Sequence, residues 1–298
     1  MYFEPPNMDS AESVRFSDGM IQDPLSRNTF LLSEGLPQCL CPQTIKNVTL
    51  FEVKRRFLTA LPAFIKEFTN LEFLHLPAYT ASSLKPGDLP DSVRTLLVYG
   101  GSIKLHSELV LPSLEKLVVT QGECRFHHST LPCLKMLSTD LDKENRILTQ
   151  VLRLTQLKHL SIGPIRNENL FLELSALSLT SLNIRPGSAL RSLDGIELIG
   201  SLTQLQLTNF RQLAKIERLN ELIGLIDLIF LRCYIEDLNP LNLHPSLKSL
   251  TLWSCKPVPE LTPVNHIKTL EQLVLRNCGS IDSNLLKRQI DTRIKLIL

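Results

Sequence analysis

The sequence is poor in the residues from which phosphate-binding and catalytic loops are built. It has 12 Gly in 298 residues, and GxxxxGKS/T, GxGxxG, GxSxG and HExxH are all missing. Phosphate-cradling loops and the usual hydrolase and metalloprotease signatures are therefore not expected. An excess of one charge is lacking too. Lys+Arg 32 against Asp+Glu 30 leaves a formal net charge of +2, without the basic surplus that would make nucleic acid or an anionic membrane the default partner. No stretch approaches the roughly 18 uninterrupted apolar residues of a membrane span. The N-terminal MYFEPPNMDSAESVRFSDG has no basic start followed by an apolar core. Neither a secretory signal nor a membrane segment is expected, and the expected compartment is the cytoplasm.

Cysteine is present in an odd number, seven, which does not suit a closed disulfide framework. Free thiols in a reducing compartment are expected. Two clusters carry metal-ligating residue types, QCLCP with Cys39 and Cys41, and CRFHH from Cys124 to His128. Neither has the paired CxxC spacing of a zinc module, so polar turns are expected there, with no metal and no cofactor. No residue stands out as catalytic. An acid–base pair assembled from distant segments would leave no local mark.

What the chain does contain is one nine-residue phrase written repeatedly. LIDLIFLRC (225–233), LKSLTLWSC (247–255) and LEQLVLRNC (270–278) all read LxxLxLxxC, with Phe230 in place of the third Leu. Sliding the phrase along the chain gives starts at Ile45, Leu71, Val93, Leu114, Leu134, Leu157, Leu179, Leu202, Leu225, Leu247 and Leu270, and a partial copy ends at Leu298. The spacings are 26, 22, 21, 20, 23, 22, 23, 23, 22 and 23. Thr139 is the clearest departure from an apolar sixth position.

The phrase and its period resemble those of the leucine-rich-repeat family. That resemblance implies an α/β solenoid, a horseshoe with a parallel concave sheet of about 11–12 short strands. It also implies convex returns that are short helical, 3-10 or extended. The alternation in xLxLx sends Leu to the core and x to the opposite face. The domain reading is an N-terminal cap over 1–44, with Phe30 to Leu32 as an anchoring strand, and a repeat array over 45–298. Pro in LPDSV (89–93), LPSLE (111–115) and LPCLK (131–135) predicts extended or 3-10 returns. Apolar spacings of three and four in 142–154, 167–174 and 211–223 predict helices of one to three turns. The family most often has Asn at the ninth position, where the side chain bonds neighbouring backbone. Cys233, Cys255 and Cys278 occupy it here, and are read as buried structural thiols.

The outward x positions form two apolar groups. Near the N-terminal end lie Phe51, Phe73, Leu97 and Tyr99. Near the C-terminal end lie Ile229, Leu231, Val274 and the sole Trp253, flanked by Arg276 and Asp227, with Arg185 further along the row. Aromatic and Arg side chains on an exposed face are the composition of interface hot spots, so Trp253, Arg276, Leu231, Ile229, Val274, Arg185, Asp227, Tyr99 and Phe73 are the expected partner contacts. The resemblance implies binding rather than catalysis. The expected function is capture or neutralisation of one specific protein, for example a toxin or an enzyme, as an inhibitor or immunity protein does. The alternative is a regulatory or substrate-recognition subunit, or an effector, within a larger complex. The strand KLIL at the C-terminal edge is expected to be covered, for instance by a second copy of the chain in a homodimer.

Overall fold

The computed structural model describes the strands at 14–15, 20–22 and 28–32, and then residues 48–298 except 54–58, 145, 166–168, 186–191, 212, 214 and 280–281. Within it the chain forms two compact units, Met1–Thr139 and Asp140–Leu298.

In the first unit, β1 (Val14–Arg15), β2 (Met20–Gln22) and β3 (Asn28–Leu32) pair antiparallel in sequence. From β3 onward the pairing is parallel, through β4 (Leu50–Val53), β5 (Phe73–Pro77), β6 (Thr95–Tyr99) and β8 (Lys116–Arg125). The expected strand over Phe30–Leu32 is thus β3, whereas Cys39 and Cys41 lie outside the described residues.

The register corrects the first repeat. Leu50 pairs with Phe73 and Phe51 with Leu74, so the repeat begins at Val48 and not Ile45, and the anomalous spacing of 26 becomes 71 − 48 = 23. Phe51 therefore faces the core and is fully buried, its ring centroid 6.1 Å from that of Phe68. The reason is side-chain alternation: a slip by an odd number of residues, here three, exchanges the two faces of a strand.

The first unit also has a side branch. The long β8 continues past the main ladder to pair with β7 (Ile103–Lys104), with Ile103 opposite Cys124. Gly122 permits this, since a Cβ there would lie 2.4 Å from the carbonyl carbon of Gly101. Thr139, in β9 (Met136–Asp140), is polar at a core position because it serves that branch. Its hydroxyl accepts the Cys124 N–H at 2.7 Å and is fully buried.

The second unit stacks β10 (His159–Gly163), β11 (Ser181–Ile184), β12 (Gln204–Thr208), β13 (Asp227–Leu231), β14 (Ser249–Trp253), β15 (Gln272–Arg276) and β16 (Lys295–Ile297) in parallel. Leu205, Leu207, Leu228, Phe230, Leu250, Leu252 and Leu273 are fully buried between sheet and returns. Each such side chain is worth about 1.5–3 kcal/mol of burial.

The Pro-containing segments at 89–93, 111–115 and 131–135 are turns closed by Val93 N–H to Pro90 O, Leu114 N–H to Leu111 O and Leu134 N–H to Leu131 O. A short α-helix, Ala78–Ser82, follows β5 without a sequence forecast. Helices do form at Arg146–Val151 and Leu170–Leu174. The segment 211–223 instead holds a 3-10 turn, Glu217–Glu221. Its buried residues Ile216, Leu219 and Leu222 recur every three positions, which is the 3-10 period and not the α period.

Two ladders tie successive repeats together. At the exit of the strands, the thiol of Cys233 donates to Leu207 O at 3.2 Å, Cys255 to Phe230 O at 3.4 Å and Cys278 to Leu252 O at 3.2 Å. The cysteines thus do for the backbone what Asn does in the family pattern. At the entry, Ser201, Ser246 and Thr269 hydroxyls donate to the carbonyls of Leu179, Leu225 and Leu247 at 2.7, 2.8 and 2.9 Å. Between them, position eight turns each strand outward in the left-handed region, at Asn209 (φ 61°), Arg232 (54°), Ser254 (55°) and Asn277 (53°).

Candidate binding face

The open face of the second unit follows the predicted register. One row runs Gln204, Asp227, Ser249, Gln272 and Lys295, a second Gln206, Ile229, Thr251, Val274 and Ile297, and a third Thr208, Leu231, Trp253 and Arg276. Side chains on adjacent parallel strands sit about 4.8 Å apart, so Ile229, Leu231 and Trp253 form one apolar group. All three are half-buried, as is Asp227, and Arg276 is exposed. The guanidinium carbon of Arg276 lies 5.8 Å from the Trp253 ring centroid, within cation–π range. Val274 is in register but only 7% exposed. A short β-branched side chain between Thr251 and Ile297 is overtopped by its neighbours, so Val274 packs the floor of the face.

Arg185 is not part of that apolar group. Its guanidinium pairs with Asp140 at 3.0 Å, and both side chains are mostly covered. Burial pulls the Arg185 pKa down and the Asp140 charge acts against it. On the same strand, the buried Asn183 Oδ1 has no hydrogen-bond partner.

In the first unit the expected apolar group is largely dissolved. Phe51 is core, Leu97 is 5% exposed, and only Phe73 and Tyr99 remain half-exposed. The slip of three residues, an odd number, places Glu52 on the open face instead. Its Oε1 is 3.2 Å from His75 Nδ1, while its buried Oε2 has no hydrogen-bond partner. The His75 ring packs edge-on against Tyr99 at 4.8 Å, and the Tyr99 hydroxyl donates to Val53 O at 2.5 Å. The sequence reading missed this group. Its only signal is that Glu52 and His75 lie one period apart, with Tyr99 two positions past Leu97, the register partner of His75.

The CRFHH cluster does not converge. Cys124 is buried in β8, and burial raises its pKa. His127 and His128 are exposed and stack on each other at 4.3 Å, with His127 Nδ1 2.7 Å from Ser129 Oγ. Among the described residues, no three His, Cys, Asp or Glu side chains come together as a metal set. The five described cysteines are free thiols. Among the described residues, no helix is long and apolar enough to cross a membrane.

A parallel strand in every period, with a return segment between successive strands and polar side chains laddering one repeat to the next, decides the architecture. The fold is that of the leucine-rich repeats. No protein-family model matches the sequence, and no curated protein is similar to it in sequence. Among solved structures, the leucine-rich-repeat chain resembles an internalin, inlF, of Listeria monocytogenes, with TM-score 0.51 and 17% identity over 86% of this chain and 75% of that one. It also resembles TLR13, solved as a complex with ssRNA13, with TM-score 0.55 and 18% identity over 86% of this chain. The match spans 46% of the length of the TLR13 chain. At these identities the likeness concerns the fold.

Proposed function

We propose that this leucine-rich-repeat chain is a non-enzymatic binding protein of the cytoplasm that captures and neutralises one specific protein through the open face of its second unit. The observation that supports this reading is the half-buried apolar group Ile229, Leu231 and Trp253, with Arg276 over the indole, flanked by the polar Gln206, Thr208, Ser249 and Thr251. Large aromatic and Arg side chains at the centre of a face with a polar surround are how interface energy is usually concentrated.

The test uses the purified protein as immobilised bait, in parallel with Trp253→Ala/Arg276→Ala, whose fold is checked by circular dichroism. Proteins retained by the parent and lost by the variant are then purified and titrated. Equal retention by both proteins sinks the assignment of this face and moves the search to Phe73, His75 and Tyr99. Binding of a protein that keeps its own activity in the complex removes the neutralising role and leaves the regulatory-subunit reading. Sedimentation of the free protein decides whether a second copy occupies the C-terminal edge.

A further inference from the structure

The face described above has two unlike rims. At the strand exits of β12 to β15, each repeat supplies the end of the strand, the left-handed residue at position eight, the buried position nine and an exposed position ten. The four segments are TNFR (208–211), LRCY (231–234), WSCK (253–256) and RNCG (276–279), sixteen residues with four cations and no anion. The geometry brings them together. Arg232 N–H donates to Trp253 O at 2.7 Å, Tyr234 N–H to Phe210 O at 2.8 Å, and the Lys256 Cε lies 3.9 Å from where a Cβ on Gly279 would be. The left-handed turn directs position eight away from the buried ninth residue, so Arg232 is exposed, as are Arg211, Lys256 and Arg276. At the opposite rim Lys248 pairs with Glu271 at 2.9 Å, and the strand entries carry both Asp227 and Lys295. A cationic rim on one side of an apolar group, and a rim carrying both signs of charge on the other, makes a polarised surface.

We propose that the strand-exit rim docks an acidic segment of the protein partner, whose apolar side chains rest on Leu231 and Trp253 while its carboxylates meet Arg211, Arg232, Lys256 and Arg276. This rests on the functional reading above and adds the partner's charge and orientation. A protein segment fits better than nucleic acid. The groups between the cations are aliphatic as well as aromatic, the row next to them, Gln206 to Ile297, is uncharged, and four cations on a chain of net charge +2 neutralise few phosphates.

The test is fluorescence anisotropy with three labelled probes: a peptide of alternating Glu and Leu, its Lys-for-Glu counterpart, and an oligouridylate. The acidic peptide is expected to bind at least about tenfold tighter than the basic one. R232E/K256E should erase that preference at low salt, and added salt should weaken binding in the parent, as for charges at a rim. Loss with W253A but no effect of R232E/K256E overturns the rim and leaves the face reading standing. Insensitivity to both variants sinks the rim and the face together. Binding of the oligouridylate as tightly as the acidic peptide, or of no probe at all, overturns the proposal.

Discussion

Arg185 reaches Asp140 by passing over Gly163. Asp140 and Gly163 end consecutive strands and Arg185 directly follows the end of the next, and a Cβ at position 163 would lie 2.9 Å from both the Cβ and the carbonyl oxygen of Arg185. The missing side chain is thus what admits the ion pair. Gly163→Ala is expected to push β10 and β11 apart and to destabilise the second unit by about 1–3 kcal/mol, the usual cost of overpacking. The measurement is the urea midpoint. A variant as stable as the parent refutes the close approach.

His244 locks the return between β13 and β14. Its Nδ1 accepts the N–H groups of Ser246 and Leu247 at 3.3 and 3.1 Å, which assigns the proton to Nε2, 3.1 Å from Leu219 O. Burial holds its pKa below the ordinary value, and the bond to Leu219 O acts against that shift. A lowered pKa means the unfolded chain binds the proton more readily. The contribution of His244 is therefore complete above about pH 6.5 and fades as pH falls through that value toward the folded pKa. His244→Gln, which cannot titrate, should flatten the dependence of the urea midpoint between about pH 7.5 and 5. An unchanged slope refutes the lock.

Face and core should respond oppositely to the same substitution. Leu205 and Leu250 are fully buried, whereas Gln206 stands on the open face beside Ile229. Leu205→Asp or Leu250→Asp should unfold much of the second unit, since a lost Leu burial of about 1.5–3 kcal/mol is joined by the cost of an unpaired buried carboxylate. Gln206→Asp should leave the melting temperature nearly unchanged. Equal losses in circular-dichroism melts contradict the register.

The thiols should sort by burial. Burial pushes Cys233 up to about 12 and raises Cys124 and Cys255, while Cys133 is exposed. Alkylation followed by peptide mapping should label Cys133 in the native protein and Cys124, Cys233, Cys255 and Cys278 only after unfolding, because the thiolate is the reactive form. Fast native labelling of Cys255 overturns the ladder.

On the binding face, Trp253→Ala is expected to weaken capture of the partner by at least about 2 kcal/mol, as hot-spot residues do. Titration calorimetry against the captured protein measures it.

The repeats from Leu157 onward were legible because only one frame puts apolar residues at positions one, four and six. The first repeat was not. In VTLFEV (48–53) apolar residues crowd both faces, so two frames fit, and the wrong one hid Glu52 beneath a supposed Phe51 contact. Val274 and Leu97 show a different limit. Their facing follows from alternation, but their accessibility depends on the height of neighbours that are 21 to 23 residues away in sequence. The hydroxyl ladder of Ser201, Ser246 and Thr269 was legible in principle, and its signal was a Ser or Thr just before Leu202, Leu247 and Leu270.

Both ladders point the same way. Every thiol and hydroxyl in them bonds a carbonyl of the preceding repeat, and none needs to know which repeat that is. The chain is therefore edited in units of its period. Excising 225–246 would join Gly224 to Leu247 and hand Cys255 the Leu207 carbonyl that Cys233 had used, so the splice leaves every sulfur and hydroxyl an acceptor. Removing a stretch a few residues shorter or longer would offset entry from exit, and would break both ladders at the join. Length variants of this protein that stay folded should differ by whole repeats.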